Sequence, residues 1–65
     1  MIDLIEYTNI NTGKQVVVST LSGRMNGVLT GKKTDQEGKI VALIIQQYLH
    51  RTEIPVEEIL NVVLV

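Results

Sequence analysis

Cysteine is absent from this 65-residue chain, which excludes disulfides and thiolate metal sites. Phenylalanine and tryptophan are absent too, leaving Tyr7 and Tyr48 as the whole aromatic complement. Excess charge is also missing: the formal net charge is −1 and the pI about 5.6, so no global field draws in nucleic acid or an anionic membrane. No run approaches the ~20 apolar residues of a membrane span. The opening "MIDLIEY" lacks the basic flank and long apolar core of a targeting segment. A soluble, cytoplasmic protein is expected.

What remains is aliphatic. The chain is 45% hydrophobic, so its core must be built from Val, Ile and Leu, residues enriched in strands. It forms one domain over residues 1–65. A domain this small buries only about 60% of its unfolded surface and usually needs a disulfide, a metal or a partner. With no cysteine, a partner chain is the option left.

Turn signals divide the sequence into five strand-like runs. "KQVVVSTL" (14–21) is β-branched, "SG" marks a turn, and "RMNGVLTGKK" (24–33) returns. "TDQEG" (34–38) is an Asx-type turn, followed by a strand at 39–45 and a more polar one at 46–54, either separate or continuous with the third through a bend. Pro55 opens a single helical turn with Glu57 and Glu58 at its positive end, and "ILNVVLV" (59–65) is the last strand. The first thirteen residues admit two readings. Met1, Ile2, Leu4 and Ile5 could line a short helix over 2–7, whereas "YTNINTGK" reads as a strand entering a turn; the helix is favoured.

Two features suggest a bent, assembling sheet. Gly27 lies in mid-strand, where glycine marks a bend or a close approach; the alternative is that it makes room for Met25 or Tyr48. The strands at 39–45 and 59–65 are apolar at both parities, whereas a strand covered on one side alternates with polar residues. Their surplus face should meet another subunit. The expected fold is all-β: a five-stranded, strongly bent SH3-like barrel.

"DL" at 3–4, "GKQVVV" at 13–18, "GR" at 23–24, "GVLTG" at 27–31, the aliphatic third strand and "EIPVEEI" together resemble the Sm/LSm family of small RNA-associated barrels, which includes the bacterial Sm-like RNA chaperone. The resemblance implies a homo-oligomeric ring that binds single-stranded RNA. It departs from the family at three places. Only Met25 and Asn26 separate Arg24 from Gly27, "KKTDQEGK" replaces the Asp-x-x-Met-Asn RNA loop, and "PVEE" replaces the Arg-Gly pair before the last strand. Tyr48-Leu49-His50 is similar to the tyrosine, lysine, histidine run of the bacterial chaperone, without its lysine.

Read from the residues themselves, Lys32, Lys33 and Lys39 bracket the 34–38 loop. They are either solvated lysines that discourage aggregation at a strand end or phosphate contacts multiplied around a ring. Gln36 belongs to the same loop. Tyr48, His50 and Arg51 are the candidates for stacking on bases. His50 alone cannot make a metal site, Ser19 and Ser22 have no His–Asp arrangement, and no phosphate loop occurs. The chain reads as a non-enzyme with no cofactor. The competing readings are an assembly or protein-interaction module with no nucleic-acid role, and a subunit lining a small-molecule pocket between copies.

Overall fold

The computed structural model describes residues 4–65. Helix α1 (Leu4–Asn11) precedes strands β1 (Gln15–Thr20), β2 (Gly23–Thr34), β3 (Ile40–Gln47) and β4 (His50–Pro55). A 3-10 turn, η1 (Val56–Glu58), leads to β5 (Ile59–Leu64). The expected helix is present but lies further along the chain: it reaches Asn11, and the start expected at Ile2 lies outside the described residues. Thr and Asn are poor helix formers, so tertiary contacts carry this last turn. Thr8 and Asn11 are buried, and the Asn11 amide donates to the Tyr7 carbonyl at 3.0 Å. Paired bonds then fasten the helix exit to β2: Gly13 N–H to the Leu29 carbonyl (2.7 Å) and Leu29 N–H to the Lys14 carbonyl (3.0 Å).

The strands form one antiparallel sheet in the order β4-β3-β2-β1-β5. Its core is aliphatic as expected. Val16, Val18, Leu29, Leu43 and Ile45 are fully buried, Ile40 and Ile54 nearly so, and Tyr7, Met25, Val56, Ile59 and Val62 pack against them. The boundary expected at Ile45/Gln46 falls later. Gln46 and Gln47 continue β3, and Tyr48-Leu49 form a two-residue turn between the Gln47–His50 pair.

The sheet curls. Its register with β3 shifts twice along β2, between Leu29 and Gly31 and between Lys33 and Thr34, and such irregularities bend a strand. A Cβ on Gly27 would collide with the Ile45 methyl and lie 2.8 Å from the Gln46 carbonyl oxygen and 3.1 Å from the Gln47 side chain. Gly27 therefore marks a close approach of β3. The alternative, that it makes room for Met25 or Tyr48, is set aside, since the neighbours are Ile45, Gln46 and Gln47.

Curling also corrects the expectation for β3. Ile40 and Ala42 are buried at one parity, and Leu43 and Ile45 at the other. Buried parity changes along the strand, so the chain itself covers both sets, with Val56 packed against the first end. Val41 stays exposed on β3, while β5 exposes Leu60, Val63 and Leu64.

The all-β, five-stranded expectation holds, but the sheet does not close on itself into the expected barrel. Five strands joined antiparallel leave the outermost two, β4 and β5, running in the same sense. Pairing them side by side would require a parallel crossover of about a dozen residues, whereas η1 supplies three. Among the described residues, β4 and β5 remain two open edges.

Candidate functional site

The β2–β3 loop is built around one carboxylate. Asp35 Oδ1 accepts from the backbone N–H groups of Glu37 and Lys39, each at 2.9 Å. Backbone bonds from Asp35 N–H to the Lys39 carbonyl (2.9 Å) and from Gly38 N–H to the Asp35 carbonyl (3.1 Å) complete the turn. Gly38 supplies the φ of +81° that this geometry requires. The loop holds Gln36 in solvent at its tip and Lys39 at its exit.

The seven candidate residues separate into two groups. Lys32, Lys33, Gln36 and Lys39 gather at the β2–β3 end, while Tyr48, His50 and Arg51 sit at the β3–β4 turn. Lys33 stands opposite Ala42 and His50 opposite Gln47. Five residues of strand rise make the separation about 17 Å. Within one chain, the lysines and the stacking candidates do not form a single site.

The lysines also have neighbours that the sequence did not disclose. Lys33 Nζ lies 3.6 Å from Glu53 on β4, reaching across β3. Lys32 Nζ donates to Asn9 Oδ1 at 3.0 Å, 23 residues away. Lys39 and Glu57 line an open groove of about 540 Å³ with Ile40, Val41 and Val56. These pairings are products of sheet order and helix docking, for which the local sequence carries no signal. Glu53 and Glu57 lower the net positive field of the loop, whereas Asn9 holds Lys32 without changing its charge.

At the opposite end, Gln46 braces the turn. Its Nε2 donates to the Tyr48 carbonyl at 3.0 Å and its Oε1 accepts from Arg51 Nε at 3.4 Å. Tyr48 is 99% exposed and Leu49 87%. Tyr48 has a φ of +52°, and no other described non-glycine residue has a positive value.

The third surface is β5. Leu60, Val63, Leu64 and Val65 are exposed by 65%, 49%, 45% and 79% along an edge with no neighbour on its outer side. Among the described residues no three of His, Asp and Glu converge as a metal would require, and no helix is long and apolar enough to cross a membrane. No protein-family model, curated protein or solved structure matches this chain.

Proposed function

We propose that this protein is a cytoplasmic, self-assembling Sm-like subunit whose two open sheet edges pair between copies to close a homo-oligomeric ring. One observation carries the reading: β4 and β5 are unpaired edges of equal length, six residues each. Laid antiparallel with full overlap, Thr52 faces Val62 and Ile54 faces Leu60. Half-buried and buried positions of β4 thereby meet apolar positions of β5, and the core wall continues from one copy into the next. Covering what is exposed of Leu60, Val63 and Leu64 contributes on the order of 1 kcal/mol each, in addition to the ladder bonds. A heterologous contact of this kind gives a ring when its rotation closes. Sedimentation velocity at micromolar concentration tests it. A species several times the 7.2 kDa chain mass is expected, and a monomer at every concentration would overturn the reading.

A second reading, single-stranded RNA on the lysine loop, is supported by the Asp35 clamp, which fixes Lys39 and the end of β2 before any ligand arrives. Repetition around a ring would have to supply the affinity, since Glu53 and Glu57 stand nearby. With about five phosphates neutralised, log K should fall with log salt at a slope near −3.5. Lys32→Ser and Lys39→Ser should flatten that slope more than Lys33→Ser, because Lys33 is already paired. Titration of U-rich and A-rich oligonucleotides at low salt checks this. Absence of binding at tens of micromolar leaves assembly as the function.

A further inference from the structure

The β3–β4 turn violates a local rule without return inside the chain. In a two-residue hairpin, a positive φ at the first central position is a glycine slot, because a Cβ there crowds the following carbonyl oxygen. Here Tyr48 fills it at φ +52°, and both Tyr48 and Leu49 stand almost wholly in solvent. The Gln46 bonds hold the turn in one shape. Arg51 stands beside it, bonded to Gln46, and residues 46–52 carry no acid. A rigid aromatic and aliphatic tip beside arginine has the composition of an interface anchor.

The same molecule carries a surface of opposite character. At the far end of β4, Met25, Ile54 and Pro55 line a pocket of about 180 Å³ together with Glu53, Glu58 and Ser22. A cavity of about 150 Å³ admits benzene, so the pocket can take one tyrosine ring. Its carboxylates come from a segment, residues 53–58, with three acids and no base. Glu53 is shared with Lys33, and Glu58 makes no ion pair among the described residues.

We infer that the Tyr48-Leu49 tip of one copy docks into the Glu53/Glu58-rimmed pocket of a second copy, with Arg51 of the first facing Glu58 of the second. Tip and pocket lie at opposite ends of β4, about 17 Å apart by strand rise, so a tip cannot reach the pocket of its own chain. The contact is head-to-tail. Nucleic acid is the poorer occupant: Leu49 offers no stacking face, and the chain carries its own acidic, apolar complement of matching size. The inference rests on the reading of the protein as self-assembling and adds a second, separate contact to it.

A chain without cysteine makes the test direct. Leu49→Cys and Ser22→Cys are introduced on separate chains, and the two are mixed under mild oxidation. A disulfide-linked pair of unlike chains is expected. Arg51→Glu in the Leu49→Cys chain should reduce its yield at least five-fold, and Glu58→Arg in the Ser22→Cys chain should restore it. No cross-linked pair, or a yield indifferent to Arg51→Glu, overturns the inference. So does an oligonucleotide affinity that falls ten-fold in Tyr48→Ser while that variant's Leu49→Cys chain cross-links unchanged. Sedimentation of Tyr48→Ser, which lacks the tip, reads edge pairing by itself, so either contact can fail without the other.

Discussion

Gly27 pairs with Val16 across the β1–β2 ladder, yet what constrains it comes from β3. The missing Cβ is replaced by the Gln46 carbonyl and the Ile45 methyl, and a backbone carbonyl held in a ladder cannot step aside. Gly27→Ala should therefore behave as an overpacking substitution costing about 1–3 kcal/mol. At this size that lowers Tm by roughly 5–20 °C. Gly31 supplies the control. Its added Cβ would stand 3.9 Å from Ile44, an ordinary contact, and alanine suits a strand better than glycine. Thermal unfolding followed by circular dichroism should show Gly31→Ala at or above the parent Tm and Gly27→Ala well below it. The sequence pointed to Gly27 as a bend or a close approach. It could not name the neighbours, because they depend on how far β3 curls.

On the scale of the element, β5 separates two roles at neighbouring positions. Val62 is half-buried against the core, whereas Val63 is 49% exposed. Val62→Lys should unfold the subunit. Val63→Lys should leave the circular dichroism spectrum intact while shifting the sedimenting species toward the 7.2 kDa chain. A folded Val63→Lys variant of unchanged size would remove β5 from the contact. The sequence made 39–45 and 59–65 look alike, since both are apolar at each parity. They differ because β3 is an interior strand, buried by register shifts in β2 and by η1, while β5 is an edge. Strand order separates them, and strand order is not written in periodicity. The candidate site was legible to the same degree: the Asx turn at 34–38 followed from its residues, but Asn9 and Glu53 reached the lysines only through docking of α1 and β4.

For the whole molecule, the core is small. Among the described residues, seven make up its buried cluster, and a domain of this size stands near the lower limit of independent folding. If assembly supplies part of the stability, unfolding is linked to association and Tm depends on concentration. A hundred-fold dilution should lower Tm by several degrees and broaden the transition in the parent. The already dissociated Val63→Lys variant should show no such dependence. Equal Tm values across that range in the parent would mean that the subunit's stability is its own.

The odd number of strands has a consequence best put in the language of polymer chemistry. A subunit with two unlike sticky edges is a bifunctional monomer of the A–B kind. Joining two copies consumes one A and one B and leaves one of each, so growth stops only by cyclisation or by a monofunctional additive. The peptide His-Arg-Thr-Glu-Ile-Pro, residues 50–55, is such an additive: it offers one β4 edge and carries no β5. In excess it should act as a chain stopper, converting rings into short open pieces and finally single subunits as its ratio rises. A scrambled peptide of the same composition should leave the size distribution where it was.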